Sequence, residues 1–156
     1  MVRLGKRNCM AEKVQETVNS RQIKALLKEK RASMKLRLAA CAGCTLCAES
    51  CFLFRNKGKG KDPQYMPSFK VLNTLGKLYR KRGKVSRAEL ERMRALLWQN
   101  CALCERCYCP MGVDLPSMIA FARRILRSQG MDGVYPHSLG APDNGEPESP
   151  AEPEQT

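Results

Sequence analysis

Eight of the nine cysteines fall in two short runs. The first is Cys41-Ala-Gly-Cys44-Thr-Leu-Cys47-Ala-Glu-Ser-Cys51, spaced C-x2-C-x2-C-x3-C. The second is Cys101-Ala-Leu-Cys104-Glu-Arg-Cys107-Tyr-Cys109-Pro110, spaced C-x2-C-x2-C-x-C-P. Thiolate sulfur is a soft ligand suited to iron–sulfur clusters, zinc and copper(I). Three cysteines packed this closely cannot all reach disulfide geometry with one another, but they can converge on one metal centre. Structural zinc sites take paired C-x2-C ligands from two places, so the third cysteine of each run is more than zinc needs. A cubane cluster has four iron corners, and a C-x2-C-x2-C run serves three of them. In bacterial two-cluster ferredoxins the last cysteine of one run completes the other cluster. By that logic Cys41, Cys44, Cys47 and Cys109 hold one [4Fe–4S] cluster. Cys101, Cys104, Cys107 and Cys51 hold the second. Such cross-tying makes the fold depend on its metal.

Little else in the chain offers chemistry. Cys9 stands apart from both runs and reads as an incidental thiol. His137, the sole histidine, reads as a turn residue. The Gly58-Lys-Gly60-Lys61 stretch lacks the spacing of a phosphate-binding loop and reads as a basic surface loop. With no Ser/His/Asp or Cys/His constellation, the expectation is an electron carrier and not a catalyst.

The segments that must position the cysteines are helical in pattern, and no strand-period segment of any length is present. A helix begins at Asn19 or Ser20, with Ile23, Leu26, Leu27, Met34 and Leu38 as its apolar positions and no Gly or Pro before Gly43. A second starts at Met66-Pro67-Ser68, carries a stripe of Phe69, Leu72, Leu75, Leu78 and Tyr79, and ends at Gly83. A third opens on the capping box Ser86-Arg-Ala-Glu89, with Val85 and Leu90 as a hydrophobic staple, and runs up to the second cysteine run. A fourth is capped by Asp114, has Pro116 in its first turn, buries Met118, Ile119, Ala122, Ile125 and Leu126, and stops at Gly130. Arg123, Arg124 and Arg127 crowd its end. The fold class expected is all-α, about four helices with cysteine loops between them. Three regions follow: a basic segment and helix over 1–40, a helical dicluster domain over 41–130, and an extended segment with a disordered, proline-rich acidic tail over 131–156.

The formal charge is +13, and it is uneven: residues 1–140 carry all 28 Lys and Arg against 10 of the 15 acids. A field of that sign draws acidic partners: a protein surface, nucleic acid or anionic lipid. No apolar run approaches the ~18–20 residues that span a bilayer, and the N-terminus lacks the features of a secretory signal. A cytoplasmic location is therefore expected, where reduced thiols favour metal over disulfides.

Several features together resemble a known family. They are the first cysteine run, the Met66-Pro67 helix start, Trp98 just ahead of Cys101, the Cys109-Pro110-Met-Gly-Val-Asp114 exit, and the last helix with its closing Gly130. Over roughly 60% of the chain they resemble the dicluster iron–sulfur subunit of heterodisulfide reductase, and the helical dicluster modules of respiratory iron–sulfur subunits. The resemblance implies an α-helical ferredoxin fold with two [4Fe–4S] clusters. It implies two heterodisulfide reductase-like partners, with this chain as the wire between them. One is the catalytic subunit, which reduces a disulfide or related sulfur substrate; the other is the flavoprotein subunit. Two departures stand out. Phe52 follows Cys51 where the family has Pro, and the second run is two residues shorter than the family's, so that counting puts Met111 where the last cysteine belongs. Either Cys109 reaches the partner cluster through a tighter loop, or that cluster has three thiolates and is a [3Fe–4S] species or has an open iron. Pro110 and Gly112-Val113, in register with the family, favour Cys109. The alternatives are a metal-stapled nucleic-acid-binding protein, which the charge suggests but the scarcity of aromatics opposes, and a freely diffusing ferredoxin.

Overall fold

The structure is a computed structural model that describes residues 18–133; Cys9, His137 and the acidic tail lie outside these residues. The described residues are helical and contain no strand. The helices are α1 (Ser20–Glu29), α2 (Arg31–Ala40), α3 (Phe52–Asn56), α4 (Pro67–Val71), α5 (Lys77–Arg80), α6 (Arg87–Arg94) and α7 (Leu115–Arg127). A π turn, Leu72–Gly76, joins α4 to α5, and another, Ala95–Gln99, extends α6.

Helix α7 is the spine. Its side chains Leu115, Met118, Ile119, Phe121, Ala122, Ile125 and Leu126 are all buried. Asp114 caps it by accepting from the Ser117 amide at 3.1 Å. Gly130, at φ +68°, ends it, and the Met131 amide returns to the Leu126 carbonyl. Helices α1 and α2 run antiparallel to α7 along its length. The Asn19 amide donates to Gln129, Arg124 holds the Glu29 carboxylate with both terminal nitrogens, and Arg37 pairs with Asp114. Ile23, Leu27 and Met34 belong to the same core as α4, α6 and α7.

Two expectations need correction. The single helix expected from residue 19 or 20 is broken at Lys30, whose backbone sits at φ −113°, ψ 26°. Neither Gly nor Pro marks this break; the Lys30 ammonium stands 5.8 Å from the centre of the Phe121 ring of α7. Asn19 supplies the cap, its side chain accepting from the Gln22 amide. The second correction concerns the α4–α5 stripe. The π turn rotates the helix face, so Val71, Leu75 and Leu78 are the fully buried apolar residues, while Phe69, Leu72 and Tyr79 are half-buried. Leu72 and Tyr79 instead line a groove with Leu38 and Ala39.

The remaining boundaries follow their local chemistry. Ser86 and Glu89 form the expected reciprocal capping box, and Val85 and Leu90 are both buried beside it. Helix α5 ends in paired returns, Arg82 amide to Tyr79 carbonyl and Gly83 amide to Leu78 carbonyl. Arg82 takes the left-handed position at φ +50° and Gly83 follows at +74°. A Cβ on Gly83 would come within 3.1 Å of Ile23, so the glycine also lets α1 approach closely. The stretch after Cys51 opens with a short helix. Its loop is closed by backbone bonds: the Gly58 amide reaches the Leu53 carbonyl, and the Lys61 and Asp62 amides reach that of Gly58.

Candidate iron–sulfur site

Each cysteine run sits where a helix has just ended. The first leaves α2 at Cys41, its C-cap; the second leaves the π turn that closes at Gln99. The two runs then fold alike. In the first, Gly43 (φ +67°) and Thr45 (φ +64°) flank Cys44 in the left-handed region. In the second, Leu103 (φ +53°) and Glu105 (φ +61°) flank Cys104 in the same way. The residues correspond one for one. Thr45, Leu103 and Glu105 are not glycine, and each costs about 1–2 kcal/mol in that conformation. Such strain collects at ligand sites. The Leu103 amide already donates to the Cys101 sulfur at 3.4 Å.

Burial sorts the thiols. Cys47, Cys51 and Cys101 are buried, Cys41, Cys107 and Cys109 are half-buried, and Cys44 and Cys104 are exposed. The structure brings Cys51 to the second run. Burial pushes the Cys107 thiol up to about 12, and the neighbouring charges of Cys101, Cys51 and Cys104 push in the same direction. A second tie joins the runs directly: the Tyr108 amide donates to the Ser50 hydroxyl at 3.2 Å. Of the other four cysteines, Cys47 belongs to the buried core and Cys109 packs against it. Met111, at the position that counting assigns to a cysteine, is 63% exposed. The short spacing is absorbed in a tight turn, Tyr108 amide to Arg106 carbonyl, followed by one from the Gly112 amide to the Cys109 carbonyl.

Among the described residues, no three Cys, His, Asp or Glu side chains close on one point as a single metal ion requires. A tetrahedral zinc site would gather four ligands at ~2.0–2.3 Å from one atom. A cubane gives each thiolate its own iron, so the thiolates stand around it and not at a single point. The donor set, the matched turns and the amide-to-sulfur bond fit that group.

Residues 40–114 match the family described as 4Fe-4S dicluster domain. That stretch, which holds both cysteine runs, is similar to a 4Fe-4S dicluster domain. The chain is similar to an Hdr-like menaquinol oxidoreductase iron–sulfur subunit of Archaeoglobus profundus, with 29% identity over 119 residues. That alignment covers 67% of this chain and 21% of the relative, so the chain spans about a fifth of the relative's length. No solved structure matches it.

The second run is held by a residue that the sequence showed only as one of three arginines crowding the end of the last helix. Arg123 is 5% exposed. Its guanidinium donates to the Leu97 carbonyl at 3.1 and 2.6 Å and to the Cys101 carbonyl at 2.5 Å, and stacks 5.3 Å from the centre of Trp98. It thus satisfies the carbonyls left open at the end of the α6 extension, where a cation is also favoured by the helix dipole. A signal was available: Arg123 lies four residues beyond Ile119, on the apolar face of α7. Lys70 is a second residue of this kind. It is 1% exposed, and its ammonium donates to the Tyr65 carbonyl at 2.7 Å, the same carbonyl to which the Cys51 thiol donates at 3.6 Å.

Proposed function

We propose that this chain is the electron-transfer iron–sulfur subunit of an Hdr-like oxidoreductase complex. Cys41, Cys44, Cys47 and Cys109 hold one [4Fe–4S] cluster; Cys101, Cys104, Cys107 and Cys51 hold the other. The clusters supply one-electron transfer at potentials set by their surroundings. The protein's part is to enclose them, donate amides to their sulfurs, and present them to partners. The observation that carries the reading is the Tyr108–Ser50 hydrogen bond, which ties the residue beside Cys51 to the second run, as cross-tied ligation requires.

The partners proposed are a flavoprotein as electron donor and a catalytic protein that reduces a disulfide or related sulfur substrate, both of the heterodisulfide reductase type and working in the cytoplasm. A basic groove supports docking of an acidic surface. Lys24, Lys28, Arg31, Lys35 and Arg82 line a cavity of about 490 Å³ with Leu27 and Tyr79. Among the described residues no helix is long and apolar enough to cross a membrane. The similarity to a menaquinol oxidoreductase subunit supports a second reading, in which the donor is a quinol oxidised by a partner and not a flavin.

The test is metal and sulfide analysis with EPR of anaerobically purified protein. The motifs predict iron and acid-labile sulfide near eight of each per chain; zinc alone would overturn the reading. Co-purification of a flavoprotein favours the first donor, and reduction by a menaquinol analogue the second. Salt-sensitive DNA or RNA binding without redox activity would favour the nucleic-acid alternative.

A further inference from the structure

Two cations are buried among the described residues, Arg123 and Lys70. Arg123 is matched to carbonyls. Lys70 is the more enclosed, and its ammonium, which has three donors, makes one hydrogen bond, to the Tyr65 carbonyl. Among the described residues no carboxylate pairs with it. Lys70 shares the buried side of α4 with Ser68 and Val71, and the Thr74 hydroxyl donates to the Lys70 carbonyl at 2.6 Å. A lysine is almost never sealed in this way without an opposite charge nearby, because its ammonium loses its hydration. Among the described residues the group placed to answer it is sulfur: the Tyr65 carbonyl that accepts from the ammonium also accepts from the Cys51 thiol.

We propose that Lys70 is the built-in counter-charge of the centre held by Cys51, Cys101, Cys104 and Cys107, and that it raises the reduction potential of that centre alone. The inference rests on the reading of those four thiols as a cluster site. Four thiolates and a [4Fe–4S]2+ core carry about −2, and uptake of one electron from the donor partner takes this to about −3. A fixed cation in a poorly screened interior stabilises the more negative state more than the less negative one. Lys70 therefore favours the reduced form. The other centre has no buried ammonium of this kind among the described residues, so the two are made unequal by one side chain.

The test compares Lys70→Met, Lys70→Gln and Lys70→Arg with wild type in the intact chain, by iron and sulfide content and by EPR-monitored potentiometric titration with dithionite. The expected result is that the neutral variants keep both centres, and one midpoint falls by at least tenfold in the reduction equilibrium, about 59 mV for a one-electron couple. The second midpoint stays in place, and Lys70→Arg stays near wild type. Loaded neutral variants that titrate as wild type would overturn the proposal, as would equal shifts of both midpoints. If the neutral variants lose one centre while Lys70→Arg keeps it, the counter-charge role stands. If Lys70→Arg loses it as well, the role is packing and the proposal fails. Wild type without iron and sulfide would instead remove the underlying cluster reading.

Discussion

At the scale of single residues, the site depends on a few side chains that sequence inspection undervalues. Arg123 is the plainest case. Replacing it with Met leaves the Leu97 and Cys101 carbonyls open beneath Trp98, and the expected cost is about 3 kcal/mol, read by denaturant unfolding of the loaded protein. Arg124→Met, which removes an exposed pair with Glu29, is expected to cost less than about 1 kcal/mol by the same measurement. The short second run gives a sharper test. Cys109 packs against the core and Met111 faces solvent, so Cys109→Ser is expected to lower iron content or to produce a [3Fe–4S] signal on oxidation, whereas Met111→Ala leaves both unchanged. The burial of Lys70 and Arg123 was not legible because a basic residue in a basic helix looks solvated. Only the tertiary neighbourhood, backbone carbonyls in both cases, makes either position habitable.

At the scale of elements, the helix starts were the most legible part. The Ser86 capping box and the Asp114 cap form as their sequences indicate, because an N-cap needs only a side chain and amides two or three residues away. The π turns were hidden, since a stripe drawn at 3.6-residue spacing cannot register one extra residue per turn, and the break at Lys30 left no Gly or Pro to find. Glu89 illustrates how a cap becomes electrostatic. Hydrogen bonds from Lys81, Lys77 and the Ser86 amide hold its carboxyl at about 2, below its usual 4.5. A depressed carboxylate contributes stability that is full above its unfolded value and is lost as pH falls through the folded one. The stability difference between wild type and Glu89→Gln should therefore be constant above pH 4.5 and shrink between 4.5 and about 2, measured by urea unfolding across that range. Ser86→Ala should cost about 1 kcal/mol at neutral pH in the same assay.

At the scale of the whole molecule, the charge gathered on α1, α2 and the end of α5 shapes association. The groove cations Lys24, Lys28 and Arg31 make no ion pair with a described residue. Binding to an acidic partner should weaken as salt rises, and a Lys24→Glu/Lys28→Glu double variant should slow association at low salt severalfold or more while leaving iron content intact, as read by surface-bound kinetics. The all-α class and the two cysteine runs could be read from the chain, because periodicity and ligand spacing are local. The tie between the two runs, the Ser50–Tyr108 bond, could not be read in this way, since it depends on tertiary packing. The matching left-handed turns carry one more consequence. They leave the middle cysteine of each run, Cys44 and Cys104, at the surface, so the molecule has two doors of the same construction. If both doors serve clusters, the turns themselves favour neither direction, and traffic would be set by which partner stands at which door and by the step proposed for Lys70.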